Sequence, residues 1–223
     1  MEKAIKRYFP IFVLPTMIAF TLGFIIPFAE GVYLSFCKFT TVNDAKFIGF
    51  ANYAKVFADE TFVHAFWYTA AFTVVSVILI NVLAFAVALL LTKGFKGTNI
   101  FRTVFFMPNL IGGIVLGYIW QLLLNGILMK FSRTLTYSST YGFWGLIILM
   151  CWQQIGYMMI IYIAGIQNIP GELIEAAEID GATKWQILKK VTIPMVMPSI
   201  TVCTFLTLTN SFKLFDQNLA LTN

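Results

Sequence analysis

No nucleophile, base and acid stand together in this sequence. Its one histidine, His64, and its three cysteines, Cys37, Cys151 and Cys203, show no metal-ligand spacing and imply no disulfide. No G-x4-G-K-[ST] run occurs, so the chain is not expected to bind ATP itself. Catalytic residues, metal ligands and a resident cofactor are therefore all expected to be absent. What remains is polarity inside apolar stretches. Gln153 and Gln154 stand four and three residues before Tyr157, which puts the three on one helical face with Trp152 adjacent. Thr204, Thr207, Asn210 and Lys213 recur at helical spacing further along. Amides and a lysine are costly in lipid, so they are expected to face a bundle interior or a watery cavity. Amides, hydroxyls and an aromatic face suit a ring rich in hydroxyls, such as a sugar. The same groups serve equally to hydrogen-bond one helix to another, and Lys213 has Asp216 at hand as a partner.

The elements that must position these residues are membrane spans. The chain is 59% hydrophobic and 11% charged, with mean hydropathy +0.83. A soluble domain carries about a quarter charged residues, so these are too few to cover a soluble surface. The net charge of +5 does not point to nucleic acid, because the basic residues cluster at span ends. Five spans are expected: Phe9 to Phe36, with Pro15 and Pro27 as candidate kinks; Phe66 to Thr92; Phe101 to Leu124; Phe143 to Ile166; and Met195 to about Phe215. The first lacks a small-residue cleavage site and reads as an uncleaved helix rather than a signal peptide. In the second, Ala84 and Ala88 allow close helix contact and Asn81 can hydrogen-bond across it. In the third, Pro108 and the Gly112, Gly113, Gly117 group soften the helix and allow close packing. Lys93 to Gly97 reads as a tight basic turn.

Between the fourth and fifth spans, Gln167 to Pro198 is the only long polar segment joining two apolar spans. Pro170 can open a helix, since the first helical positions need no amide proton. Glu172 and Glu175 then lie near the positive end of its dipole. Asp180-Gly181 ends it, Thr183 caps a second short helix, and Pro194 is expected to bend the chain into the fifth span. The result is an elbow outside the membrane that presents Ala176 and Ala177 with acids beside them.

This elbow closely resembles the EAA loop of ABC importer permeases, E-A-A-x3-G-x9-I-x-L-P. Here it runs Glu175-Ala176-Ala177, Gly181, then Val191-Thr192-Ile193-Pro194, with conservative departures at Val191 and Ile193. Asp180-Gly181-Ala182-Thr183 with Gln186 resembles the carbohydrate-uptake branch. Phe47-Ile48-Gly49-Phe50-Ala51-Asn52-Tyr53 resembles the F-x-G-x-x-N-Y segment that follows the first helix of sugar permeases, and it also reads as an interfacial aromatic belt.

The resemblance implies an all-α, polytopic helical bundle of the type I ABC importer permease kind. It further implies a single permease domain over residues 1–223, with 167–194 as the cytoplasmic coupling loop and a sixth helix beyond the chain's end. The expected function is a permease subunit of an ATP-driven, binding-protein-dependent importer that moves a sugar, an oligosaccharide by that branch's habit, by alternating access. Implied partners are a second permease subunit forming a heterodimer, two nucleotide-binding ATPase subunits that use ATP and Mg, and an extracytoplasmic solute-binding protein. Glu175, Ala176, Ala177, Asp180, Gly181 and Pro194 are the expected ATPase-coupling residues. Trp152, Gln153, Gln154, Tyr157, Thr207, Asn210 and Lys213 are the expected substrate-path residues, with Tyr157 and Asn210 at or near the family's lining positions.

Orientation follows from the basic residues. Lys3, Lys6, Arg7, Lys93, Lys96, Arg102, Lys184, Lys189 and Lys190 fall on one side, against Lys38, Lys46, Lys55, Lys130 and Arg133 on the other. The excess places the N-terminus and the elbow in the cytoplasm of a prokaryotic cell membrane. Two other classes stay open. An ion-coupled secondary transporter would need paired ionisable groups mid-membrane, whereas Glu30, Lys213 and Asp216 lie toward span ends. A membrane scaffold would transport nothing.

Overall fold

A computed structural model describes residues 2–94 and 96–222; Met1 of the basic tail, Phe95 of the basic turn and Asn223 lie outside the described residues. The chain falls into two compact units, Met1–Phe66 and Trp67–Asn223. Among the described residues, five helices are long and apolar enough to cross a membrane: Tyr8–Ser35, Glu60–Leu91, Gly113–Phe131, Ser139–Gln167 and Lys184–Phe212.

In the first unit, α1 (Glu2–Phe20) passes through Pro10 and Pro15 and continues by a wide π turn, Thr21–Ile25, into α2 (Ile26–Ser35). Two short strands follow, β1 (Cys37–Lys38) and β2 (Lys46–Phe47), paired antiparallel with Cys37 opposite Phe47. Between them the Thr41 and Thr40 amides donate to Asp44 and hold its carboxyl below the usual carboxylate range. These bonds therefore persist until the pH falls through that lowered value.

Next comes α3 (Ala51–Ala58), and here each residue of the Phe-x-Gly-x-x-Asn-Tyr segment has a task. Gly49 takes φ +62°, which a side chain would resist. Asn52 Nδ2 donates to the Ser35 carbonyl at 3.0 Å and the Cys37 carbonyl at 2.8 Å. The Tyr53 hydroxyl bonds the Ser35 hydroxyl at 2.7 Å. The Phe36 ring packs against Phe47, Phe50 and Tyr53. The segment clamps the end of the first span.

The second unit is built around α7 (Ser139–Gln167), the most deeply buried of the spans. Around it lie α4 (Glu60–Leu91, continuing from the first unit), α5 (Thr98–Phe106), α6 (Gly113–Leu128), α10 (Ile193–Phe212) and α11 (Phe215–Thr222). Lipid tails are as apolar as leucine, so helix contact here rests on close packing and interhelical hydrogen bonds. Small residues supply the packing. A Cβ on Gly156 of α7 would lie 1.7 Å from the Phe105 carbonyl oxygen of α5. One on Gly165 would meet Ser199 Oγ of α10 at 2.3 Å, and one on Gly117 of α6 would meet Ala220 Cβ of α11 at 2.7 Å. Ala84 and Ala88 are fully buried, as expected. Hydrogen bonds supply the rest. Tyr162 Oη of α7 donates to Asn81 Oδ1 of α4 at 2.7 Å, and Asn81 Nδ2 donates to Thr207 Oγ1 of α10 at 3.3 Å.

Two sequence expectations are corrected, and one element is new. The third span is not one helix over Phe101 to Leu124. Pro108 lies buried in a 3-10 turn, Met107–Leu110, and Gly112 is extended (φ −61°, ψ 142°), so α5 stops and α6 starts afresh. Pro194 does not end the helix that Thr183 opens. A π turn, Leu188–Thr192, joins the short α9 (Lys184–Ile187) continuously to α10. Each π turn ends two residues before a proline, Pro27 or Pro194. A proline ring clashes with the carbonyl four residues back, and a widened turn moves that carbonyl aside. Pro10, Pro15 and Pro198 are carried in α-helix without one. Lastly, α11 was not anticipated. It packs along α6 through Gly113 and Gly117.

Gly156→Ala is expected to cost about 3 kcal/mol, because a helix backbone must move rather than a side chain tip. Gly126→Ala, with nothing within 4 Å, is the neutral control; thermal unfolding of the purified protein in detergent separates them. Asn81→Ala is expected to cost about 1 kcal/mol. A double-mutant cycle with Tyr162→Phe should show coupling between the two, and strict additivity would remove the network from the account.

Candidate functional site

The elbow is built by local chain chemistry. α7 ends at Gln167, Ile169 turns inward and is buried, and Pro170 caps α8 (Gly171–Ile179). Gly181 closes α8 at φ +77°, and its amide donates to the Glu178 carbonyl at 3.0 Å. The Ala182 amide returns to the Ala177 carbonyl at 3.0 Å. Thr183 then opens α9 with a reciprocal cap. The Gln186 amide donates to Thr183 Oγ1 at 3.3 Å, and the Thr183 amide donates to Gln186 Oε1 at 2.7 Å. Every backbone turn of the elbow is thus fixed by a hydrogen bond or a glycine, and α9 runs without interruption into the α10 span.

This bonded piece presents an exposed surface. Glu172, Glu175, Ala176, Glu178, Asp180 and Gly181 are exposed, as is Pro194, while Ala177 is half-buried. Beside the acids Ile179 is 86% exposed and Trp185 69% exposed. A cleft of about 250 Å3 opens in the crook, lined by Ala177, Asp180, Gly181, Gln186 and Lys190 among others. Large apolar side chains held out on a polar elbow mark an interaction surface. Ile179 and Trp185 were not picked out from sequence. The available signal was Ile179 at i+4 from Glu175, on the same helical face.

Within the spans the expected polar residues divide into groups. Gln153 and Gln154 are buried. Asn210 Nδ2 of α10 donates to Gln154 Oε1 at 3.2 Å, and Gln217 Nε2 of α11 donates to Gln153 Oε1 at 3.4 Å. Gln153 Nε2 in turn reaches the Ile111 carbonyl at 3.4 Å, at the break between α5 and α6. Sequence reasoning missed Gln217, which has no helical partner in sequence to flag it. Trp152 is 44% exposed and meets Trp120 of α6 edge to face at 5.6 Å. Tyr157 is half-buried and tilts against Phe106 at 6.5 Å.

Thr207 lies between helices. It is fully buried, donates to the Cys203 carbonyl at 2.7 Å and accepts from Asn81, so it binds helices together. Lys213 is exposed at the end of α10, and no ion pair with Asp216 occurs among the described residues. No group of three or more metal-ligating side chains forms among the described residues.

Comparison with known proteins agrees with this architecture. The profile of the binding-protein-dependent transport system inner membrane component family matches residues 80–223. The probable starch degradation products transport system permease protein of Thermoanaerobacterium thermosulfurigenes is 42% identical over 221 residues, covering 95% of this chain and 75% of that protein. The multiple sugar-binding transport system permease protein of Streptococcus mutans is 28% identical, covering 100% of this chain and 80% of that protein. Among solved structures, a bacterial ABC transporter involved in import of the acidic polysaccharide alginate superposes with TM-score 0.79 at 24% identity, over 99% of this chain and 79% of that one; the likeness is one of fold. With its five apolar spans and its type I importer architecture, this multi-pass membrane protein belongs to the family of binding-protein-dependent transport system inner membrane components.

Proposed function

We propose that this chain is one of two permease subunits of an ATP-driven importer for a carbohydrate, an oligosaccharide by preference. The observation that carries the reading is the rigid elbow, with Ile179 and Trp185 held out beside Glu175 and Asp180. Such a surface suits a separate nucleotide-binding subunit, which hydrolyses ATP with Mg while this chain binds neither. A second, different permease chain completes the pathway, and an extracytoplasmic binding protein delivers the solute. The relatives named for starch degradation products and for multiple sugars support the substrate class. The excess of basic residues supports a cytoplasmic N-terminus and elbow.

The mechanism is alternating access. Closure of the two ATPase subunits draws the elbows together and turns the pathway outward. For that work to reach the spans, the joint has to transmit force rather than absorb it, since only a difference in contacts between two states can shift them. The bonded turns of α8 and α9 and the unbroken passage into α10 meet that need. In the pathway, Trp152 offers an exposed aromatic face, with Tyr157, Gln153, Gln154 and Asn210 as the polar groups beside or behind it.

Glu175→Lys and Gly181→Val are expected to abolish solute uptake, a loss of about thirtyfold or more, while the protein still inserts in the membrane. Uptake of labelled oligosaccharide in cells, with immunodetection in the membrane fraction, checks both parts. Normal uptake by either variant counts against docking at the elbow. Trp152→Ala is expected to raise the solute concentration for half-maximal uptake about fivefold with little change in ATP hydrolysis unloaded by binding protein. The whole reading is tested by reconstituting the chain with its partner subunits in liposomes. ATP hydrolysis should respond to binding protein loaded with sugar, and indifference to that protein would overturn it.

A further inference from the structure

On the elbow's side of the bundle, where α4 and α7 end and α5 begins, two clefts meet at Arg102. One, of about 470 Å3, is polar: Thr92, Thr98, Asn99, Arg102 and Gln167 contribute to its lining. The other, of about 340 Å3, continues from Arg102 between α5 and α7 and is mostly apolar, with Phe106, Ile160, Ile163 and Ala164 on its walls. Arg102 Nε is buried and has no hydrogen-bond partner among the described residues. No carboxylate lines either cleft. Lys93 and Lys96 stand in the turn just before α5 and are exposed.

A guanidinium nitrogen removed from water without a partner is costly, so the site calls for an acceptor from outside the chain. The acceptor has to be anionic, because the guanidinium stays charged and two lysines lie close by in sequence. It has to carry an apolar part as well, because the polar cleft opens directly into the apolar groove between α5 and α7. A free anion would fill only the first. We infer that Arg102 and the joined clefts bind an anionic phospholipid, its phosphate at Arg102 and one acyl chain along the α5–α7 groove. Basic pockets between spans on the cytoplasmic side bind anionic headgroups of this kind. The bound lipid would fill the space between α5 and the end of α7, from which the elbow springs.

The test is native mass spectrometry of the purified permease assembly, titrated with phosphatidylglycerol or phosphatidylcholine, for the wild type, Arg102→Gln and Ala164→Phe. Ala164 is exposed in the groove, so the larger side chain obstructs the acyl chain and leaves the charge intact. Wild type should retain phosphatidylglycerol in preference to phosphatidylcholine. Each variant should weaken that retention about fivefold, and excess inorganic phosphate should not displace the lipid. Should Arg102→Gln fail to assemble, Ala164→Phe carries the test alone. Retention unchanged in the variants overturns the site. Displacement by inorganic phosphate, with Ala164→Phe indifferent, identifies a free-phosphate site and overturns the lipid. Loss of a partner subunit from Arg102→Gln with lipid retention unchanged assigns Arg102 to a protein contact and overturns it too.

Discussion

The backbone of α7 touches the backbone of α5 at Gly156, and much of the second unit depends on that contact. A Cβ there would lie 1.7 Å from a carbonyl oxygen, so the two helices approach as closely as backbones can. In lipid no hydrophobic force drives helices together, and attraction is gained by bringing many atoms into van der Waals range. Glycine makes this possible by removing the side chain that would hold the helices apart. The same device recurs where α7 meets α10 at Gly165 and where α6 meets α11 at Gly117. With α7 gripped in this way, its buried polar groups can be aimed at fixed partners.

Those polar groups do two different things on one helix. Tyr162, reaching Asn81 and through it Thr207, is sealed in the core and fastens α4, α7 and α10. About two turns earlier, Gln153 and Gln154 are also bonded, but to Asn210 and Gln217 near the half-open Trp152. The second set of bonds is long, 3.2 to 3.4 Å, and involves amides that can each exchange one partner for another. The substrate-path role proposed for Gln153, Gln154 and Asn210 draws on these exchangeable amides. The tighter Tyr162–Asn81 bond belongs to structure.

The elbow illustrates how stiffness is achieved outside the membrane without a core. Its short helices are too small to be stable alone. They are held by the Thr183–Gln186 cap, by the Gly181 turn and by burial of Ile169 and Ile187. The π turn at Leu188–Thr192 lets the chain pass Pro194 without breaking, so the elbow and the span form one piece. A flexible loop at that point would dissipate any push from a partner.

Much was legible in the residues themselves. Span number, the α8 stop at Asp180-Gly181, the Thr183 cap and the helix-bonding role open to Asn81 depend on local chemistry, namely apolar length, positive φ, capping geometry and the cost of an amide in lipid. The Glu-Ala-Ala elbow with its fixed spacing carried the family in the same way. What the chain order could not decide was long-range. That Pro108 and Gly112 split the third span, that Pro194 is absorbed by a π turn, and that α11 lies along α6 each depend on neighbours distant in sequence. Thr207 and Asn210 have the same helical period, yet one is sealed between helices and the other faces the Gln154 amide. Periodicity places side chains on a face, whereas only packing determines what that face meets.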